Sequence, residues 1–335
     1  MRNYIIGFSI FIIVIFILAL AIGQADDTVD DIEYPDQFLT NVKSVKEPTI
    51  DSPDKSDVLT IEEPVDEVHA DVDSEAYIPS QSIDSTAIDI PRTIRASSEQ
   101  ILNRIGYTTS YNKNTKCPNW VAWHLTKEHT DGPYHRSGVP YLDNRGNAIG
   151  ISPFNPEIVR GDYIIDLQAS NPRQEHTDWM EHPSNIEHGH MCPAADCKWS
   201  KEVINQSFLL TNMCPQDGNL NGGDWEELES RCRGWARQYG DIYIVAGPIF
   251  ENGVSKTMGK NKIGIPDAFF KVVLRLGKNP KALGFIYPNN GTHHAMKEYV
   301  YSVDEVEGIT GFDFFHRLPD EMENEIEKTS NIKEW

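Results

Sequence analysis

The pattern of apolar and polar positions divides the chain into three regions. Residues 5–23 form an uninterrupted apolar run, residues 26–90 are polar and acidic, and patterns typical of strands and helices begin near Arg95. Strand-like runs occupy residues 107–111 and 119–125, with turn residues between them, which predicts a hairpin. The other predicted strands are residues 162–167, 207–211, 242–246, 269–274 and 282–287.

Helical spacing is clearest between residues 223 and 239, where apolar positions recur on one face: Trp225, Leu228, Cys232, Trp235 and Ala236. Such a stripe is typical of an amphipathic helix packed on a core. Shorter helices are predicted over residues 201–206 and 320–328, and residues 97–100 resemble a helix start. Because the strands are joined by long irregular segments, the pattern favours an α+β domain over residues 95–335, with an antiparallel or mixed sheet.

The apolar run at the N-terminus is long enough to span a bilayer as a helix. It follows Arg2, carries no charge, and contains the small residues Ala19 and Ala21, as at a signal-peptide cleavage site. We therefore predict that residues 1–24 are a signal peptide or an N-terminal membrane anchor, the latter tethering the protein through residues 4–23. In both cases the rest of the chain is exported.

The acidic region carries most of the formal net charge of −21, with nineteen Asp or Glu against three Lys over residues 26–90. A segment of this composition repels itself and buries too little apolar surface to fold. Residues 25–94 are therefore predicted to be a disordered acidic linker. The remaining domain is only weakly acidic and lacks a general basic field, so any phosphate contact has to come from local Arg and Lys side chains.

Five cysteines are present, at positions 117, 192, 197, 214 and 232. Export permits disulfides, but an odd number leaves at least one thiol unpaired, and the connectivity does not follow from the sequence. The pairs Cys192–Cys214 and Cys117–Cys232 are two hypotheses.

Residues with chemical potential are concentrated between positions 186 and 237. His190 is a natural base for water at neutral pH, and Asn221 offers the neutral oxygen that Mg²⁺ accepts as a ligand. Glu229 and Arg233 share a helix face with i, i+4 spacing. A helix cap for Asn221, an ordinary salt bridge for Glu229 and Arg233, and a structural histidine are the alternatives.

Together these residues resemble the DNA/RNA non-specific endonucleases of the ββα-metal, or His-Me finger, class. The resemblance covers roughly residues 106–316. It rests on these segments: His188-Gly189-His190-Met191, Pro193-Ala194-Ala195-Asp196, Lys198-Trp199-Ser200, Asn212 with Pro215-Gln216, and Leu220-Asn221 with Trp225 and Leu228-Glu229. It implies a ββα-metal nuclease fold with a central, mainly antiparallel sheet flanked by helices.

By position, the resemblance implies that His190 is the general base and Asn221 the direct protein ligand of Mg²⁺, for which Mn²⁺ substitutes. It implies that Glu229 and Arg233 contact metal-bound water and phosphate, with supporting or substrate-binding roles for Glu187, His188, Asn212 and Gln216. The implied reaction is hydrolysis of DNA and RNA without sequence preference, leaving 5′-phosphates.

One departure concerns the signature Asp-Arg-Gly-His, which here is Glu187-His188-Gly189-His190. The missing arginine supports phosphate binding, and a histidine replaces it only when protonated. Arg136, Arg160 and Lys198 are candidates for compensation. Two alternatives follow: a nuclease-fold module that only binds nucleic acid or a protein partner, and a structural zinc site made by His188, His190, Cys192 and Cys197.

Overall fold

A computed structural model describes residues 87–136, 141–142, 148–149, 158–159, 163–180 and 182–335. The predicted signal peptide or anchor, most of the predicted acidic linker and Arg160 lie outside these residues. Within them, no helix has the length and apolar character needed to cross a membrane.

The strands, in chain order, are β1 (Arg92–Thr93), β2 (Gln100–Asn103), β3 (Thr108–Asn112), β4 (Cys117–Thr126), β5 (His135–Arg136), β6 (Tyr141–Leu142), β7 (Ala148–Ile149), β8 (Ile158–Val159), β9 (Ile186–His190), β10 (Met213–Asp217), β11 (Asp241–Ile249), β12 (Lys256–Met258), β13 (Ile263–Ile265), β14 (Ala268–Arg275), β15 (Lys281–Pro288), β16 (Val300–Tyr301) and β17 (Phe312–Asp313). The α-helices of the same residues are α1 (Lys201–Gln206), α2 (Gly218–Asn221), α3 (Asp224–Tyr239), α4 (Val303–Thr310) and α5 (Asp320–Glu327).

A seven-stranded sheet forms the centre of the domain, with strand order β16-β15-β14-β11-β4-β3-β2. Every neighbouring pair in it is antiparallel. The predicted α+β class with a central antiparallel sheet flanked by helices is therefore confirmed. The predicted hairpin is the β3–β4 pair, and the predicted strands over residues 242–246, 269–274 and 282–287 lie within β11, β14 and β15.

Both faces of the sheet are covered, which explains why β14 is buried along its whole length. Phe269 and Lys271 point towards helix α3, where each lies against Trp225. The alternate residue Phe270 contacts Phe312 on the other face. On that face, helices α4 and α5 pack against β15. Helix α3 is thereby held on a rigid support, which matters because it carries two predicted site residues.

Three sequence-based predictions were wrong. Residues 97–100 do not begin a helix, because Gln100 starts the edge strand β2. The predicted strands over residues 162–167 and 207–211 are not formed in the described residues 163–167 and 207–211: Ile164 and Leu209 make only an isolated bridge, and Leu210–Asn212 is a 3₁₀ turn. Phe208 and Leu210 are buried in irregular chain rather than in a sheet, whereas Ile164 and Leu167 are exposed, and periodicity alone reveals neither outcome.

Helix α4 was missed although its sequence carries a start signal. The Ser302 hydroxyl accepts a hydrogen bond from the Glu305 backbone N–H, and the Glu305 carboxylate accepts one from the Ser302 N–H. This reciprocal pair is a capping box. The helix ends at Gly311, whose φ of 76° favours glycine.

The folded region begins before the predicted boundary at residue 95. Ile88 is completely buried, and β1 pairs with β17 through Arg92↔Asp313 and Thr93↔Phe312. Residues 87–94 therefore belong to the domain and not to the linker.

Candidate active site

The predicted site residues lie on one ββα unit formed by β9, β10 and α3. Strands β9 and β10 are antiparallel, with His190 opposite Met213 and Glu187 opposite Gln216. The chain then turns through the short helix α2, which Asp217 caps by accepting hydrogen bonds from the backbone N–H groups of Asn219 and Leu220. Helix α3 follows directly. The chain order strand, strand, helix is the arrangement that the resemblance implies.

The side chain of Asn221 is oriented by Glu187. Its Nδ2 donates a hydrogen bond to Glu187 Oε2 over 2.8 Å, so its Oδ1 is turned away from that carboxylate. The helix-cap alternative is wrong, since Gly223 occupies the cap position of α3 without a side-chain hydrogen bond. An amide oxygen fixed beside a carboxylate is a donor set that suits a hard divalent cation.

His190 stands at the end of β9 with one side of its ring enclosed. Its Nε2 is buried and has no hydrogen-bond partner among the described residues. The ring packs edge-on against Phe208, and its backbone oxygen accepts a hydrogen bond from Trp225 Nε1 over 3.3 Å. Burial, with smaller contributions from Arg136 and His188, lowers the pKa of His190 to about 3. The imidazole is therefore neutral at physiological pH, as a base must be.

His188, which replaces the signature arginine, lies between two aromatic rings. Its centroid is 3.6 Å from that of Trp179 and 3.8 Å from that of Tyr163. Burial, together with the charges of His182, Arg136 and His176, lowers the pKa of His188 to about 3. His188 is therefore neutral at neutral and mildly acidic pH and does not supply the charge of the signature arginine there.

Arg136 is the cation that the structure places beside the two histidines. Its guanidinium lies 5.3 Å from the centroid of Phe208 and 5.7 Å from that of Tyr163. Its Nη2 donates a hydrogen bond to the Tyr163 hydroxyl over 3.3 Å, and the side chain is exposed. Arg136 thus contacts the ring cluster around His188 and His190, whereas Arg160 lies outside the described residues.

Arg233 has a different partner from the one expected. Its Nη1 donates to Asp196 Oδ1 over 3.0 Å, and its Nη2 donates to Ser230 Oγ over 2.9 Å. Asp196 is buried and also accepts a hydrogen bond from Trp123 Nε1. In the described structure, Arg233 therefore pairs with Asp196 and forms no salt bridge with Glu229. The contact between Arg233 and Asp196 instead ties α3 to the turn after β9, and the hydrogen bond from Trp123 ties that turn to β4.

Glu229, a residue of α3, lies near both acidic and basic side chains. Burial and the nearby Asp196 raise its pKa to about 7, while Lys271 and Arg233 oppose the shift. Lys271 is fully buried, with its Nζ 4.1 Å from the centroid of Trp225. Sequence reasoning assigned no role to Lys271 or Asp196. A lysine inside the apolar run of β14 was the signal, since buried lysines are rare unless they face a carboxylate.

Asn212 and Gln216 both contact β9 or the residues that follow it, in different ways. Asn212 holds both backbone polar groups of Cys192. Its Oδ1 accepts a hydrogen bond from the Cys192 N–H, and its Nδ2 donates to the carbonyl oxygens of Cys192 and Ser207. Gln216 is fully buried with no hydrogen-bond partner for its amide among the described residues, and it lies directly against Gly189. Asn212 thus fixes the direction in which the chain leaves His190.

All five cysteines are free thiols, and their neighbours differ from both disulfide hypotheses. The Sγ atoms of Cys192 and Cys197 are 3.8 Å apart, and Cys214 makes a thiol contact with Cys117. The expected pairs Cys192–Cys214 and Cys117–Cys232 are therefore wrong. The zinc alternative is also wrong, because across the described ranges the single group of three or more metal-ligating side chains involves none of its four residues.

Comparisons with known proteins agree with this geometry. The family model described as DNA/RNA non-specific endonuclease matches residues 85–321. A nuclease from Nostoc is 31% identical over 232 residues, covering 66% of this chain and 75% of the relative. The mitochondrial nuclease EXOG from Xenopus laevis is 27% identical over 229 residues, covering 64% and 58% respectively.

This chain therefore spans less than two thirds of the length of that mitochondrial relative. Among solved structures, EndoG in a crystal structure of its complex with EndoGI has a TM-score of 0.53 at 22% identity, covering 67% of this chain and 89% of that one. The similarity to EndoG concerns the fold. The extent of the family match, over a ββα unit of the expected order, places this chain in the DNA/RNA non-specific endonuclease family.

Proposed function

We propose that this protein is an exported, Mg²⁺-dependent nuclease that hydrolyses phosphodiester bonds in DNA and RNA without sequence preference and leaves 5′-phosphates. The observation that carries the proposal is the ββα unit. It places a neutral His190 at the end of one strand and an Asn221 amide, oriented by Glu187, where the unit turns into helix α3. Family membership supports a nucleic-acid substrate, and the apolar run at residues 5–23 supports export.

In the proposed reaction His190 takes a proton from the attacking water. Its Nε2 is enclosed, so Nδ1 is the nitrogen that we assign to this step. A pKa of about 3 describes the ring without substrate. The negative charge of a bound phosphodiester favours the imidazolium and raises this pKa towards the working pH. Phe208 packs against the ring and the Trp225 indole holds the backbone of His190, so that the base is in place before substrate arrives.

The oxygen donors present fit the metal that the family implies. Asn221 Oδ1 would hold Mg²⁺, with Mn²⁺ as a substitute and Glu187 setting the direction of the amide. When bound, the cation supplies charge stabilisation for the 3′-oxygen leaving group. Glu229 adds a second carboxylate from the following helix α3, and Arg233, which is held by Asp196, stabilises the ionised form of Glu229.

Arg136 is the residue to which we assign phosphate binding in place of the signature arginine. It is exposed, permanently charged and packed on the rings of Tyr163 and Phe208 beside His190. Stacking on aromatic faces leaves the edge of a guanidinium free to donate hydrogen bonds to phosphate oxygens. The second candidate function, a binding module without turnover, is favoured only by the neutral His188.

A plasmid-degradation assay tests the proposal and separates the two functions. The native chain is expected to nick supercoiled DNA with Mg²⁺ and not with EDTA. His190→Ala should lower turnover by roughly 10²–10⁴-fold, the contribution of a general base. The matched control is His124→Ala, whose ring stacks on Tyr243 in the sheet; it should keep the native rate. Absence of Mg²⁺-dependent nicking between about pH 5 and 9 would favour the binding module.

A further inference from the structure

A cluster of carboxylates joins helices α4 and α5 on the face of the sheet opposite the ββα unit. Asp304, Glu307 and Glu327 each bring one oxygen within 4.8 Å of the other two. Asp304 is exposed, Glu307 is half-buried and Glu327 is only 3% exposed. Glu327 follows the segment matched by the family model, which ends at residue 321.

Glu327 lacks the hydrogen bonds that a buried carboxylate needs. Its Oε1 is inaccessible to solvent and has no partner among the described residues. Glu307 is partly satisfied, since its Oε1 accepts the Phe314 backbone N–H over 2.7 Å. A buried, unpaired carboxylate is strongly unfavourable unless it takes up a proton or a cation. The unpaired carboxylate of Glu327, which faces two others, therefore needs a proton or a cation to stabilise it.

The surrounding charges increase the demand for a cation. After burial, the main influences on Glu327 come from four acids: Glu307, Glu323, Asp304 and Asp313. The nearby cations are few, since Arg92 is paired with Asp313 and Lys328 acts on the exposed Asp304. Glu327 is also the last residue of α5, where the helix dipole disfavours an anion. In keeping with this, the pKa of Glu307 is raised to about 7 and that of Glu327 to about 10, chiefly by burial and then by the other acids.

We infer that Asp304, Glu307 and Glu327 form a calcium site that fastens α5 to α4. The ligands are all carboxylate oxygens, which hard cations prefer and which zinc or copper sites seldom use alone. Oxygens as much as 4.8 Å apart fit around an ion with ligand distances of 2.3–2.6 Å. The smaller Mg²⁺ requires tighter octahedral spacing, and water completes the coordination on the exposed side, at Asp304.

Counting bound calcium tests the site separately from the nuclease. Equilibrium dialysis of the full chain against Ca²⁺, with Mg²⁺ present, should show that Glu327→Gln binds one ion fewer than the native chain. Asn221→Ala, which alters the proposed catalytic site, should keep the ion. Glu325→Gln is the matched control, because Glu325 is exposed on the same helix. Equal Ca²⁺ binding by Glu327→Gln and the native chain overturns the proposal.

Thermal unfolding provides the second readout. Ca²⁺ should raise the melting temperature of the native chain and of Asn221→Ala, and should leave that of Glu327→Gln unchanged. If Glu327→Gln does not fold, Asp304→Asn replaces it, since the exposed Asp304 tolerates the change; it should weaken Ca²⁺ binding at least about tenfold. Two results together would refute the site: Ca²⁺ has no effect on the melting temperature of the native chain, and Glu327→Gln is more stable than the native chain at pH 8. They would mean that Glu327 is held as a neutral acid.

Discussion

Among single residues, His188 is where this chain departs most clearly from its family. It sits as a neutral ring between Trp179 and Tyr163, whose faces are equally suited to a planar guanidinium. We expect His188→Arg to lower the KM for DNA at pH 8 by roughly tenfold, the equivalent of one charge-assisted hydrogen bond of about 1.5 kcal/mol.

The matched control for this substitution is His182→Arg, which adds the same charge at an exposed position nearby. Initial rates of plasmid nicking over a range of DNA concentrations measure the effect. An equal gain from both variants would show that general electrostatic attraction, and not the aromatic sandwich, is responsible.

We expect Glu229 to make the rate of the proposed reaction dependent on pH. Its pKa of about 7 lies above that of an ordinary glutamate, mainly because it is buried. If the carboxylate is the working form, kcat/KM rises with pH and levels off above about 7, whereas His190, with a pKa of about 3, stays neutral throughout. A bound divalent cation moves the rising limb to lower pH.

Profiles of kcat/KM between about pH 5 and 9 test this dependence. Glu229→Gln should be slow at every pH and should lack the rising limb. A native profile that falls as pH increases through 7 would contradict the assignment, as would an unchanged limb in the glutamine variant.

How far the sequence predicted the site depends on how local each contact is. His190 and Asn221 were identified from the spacing of residues within one ββα unit. Other side chains that influence the site come from elsewhere: Arg136, beside His190, from the short strand β5 far upstream, and Lys271, beside Glu229, from β14 far downstream. The placement of Lys271 follows from the sheet order, in which β4, β11 and β14 are adjacent, and a motif read along the chain contains no information about that order.

At the level of elements, the β9–β10 pair depends on the absence of a side chain at one position. A Cβ on Gly189 would lie 2.2 Å from Oε1 and 2.6 Å from Cβ of the buried Gln216. Gly189→Ala should therefore destabilise the fold by about 1–3 kcal/mol, as overpacking does. Gly234→Ala is the control: a Cβ there meets nothing within 4 Å in the middle of α3, so it should stabilise the protein by about 0.5–1 kcal/mol.

Urea unfolding followed by tryptophan fluorescence gives both values. Two destabilised variants would indicate that the region around α3 tolerates no added methyl group. Two stable ones would indicate that Gln216 moves aside without loss.

How well each helix or strand was predicted depended on how clear its pattern of apolar and polar residues is. Helix α3 was predicted within one residue of its start, because its apolar stripe has a single helical period and a glycine at each end. Strand β14 was found from a continuous apolar run, since it is buried on both faces. Residues 162–167 have the same composition as a strand but find no neighbouring strand to pair with, apart from the bridge at Ile164. Whether a segment pairs as a strand depends on which strands lie beside it in the assembled sheet, and its own sequence does not show this.

For the molecule as a whole, the state of the cysteines gives a direct test. All five are buried free thiols, and burial raises the pKa of Cys192, Cys214 and Cys232. Because the thiolate is the reactive form, folded protein prepared under reducing conditions should react with Ellman's reagent at fewer than about one thiol per chain. In urea all five should react. Fewer than five in urea would reveal a disulfide and a different cysteine arrangement.

The sheet order also determines when the proposed nuclease site is assembled during synthesis of the chain. Strand β4 pairs with β11 through Thr126↔Asp241, and β11 pairs in turn with β14. The ββα unit is encoded between β4 and β11, yet α3 packs on a surface that β11 and β14 complete. A ribosome that has just finished α3 therefore holds every proposed catalytic side chain but no platform on which to fix them. Non-local pairing of this kind folds slowly and late. A cell making a non-specific nuclease would benefit from that delay, since the nascent chain stays harmless to the messenger from which it is translated.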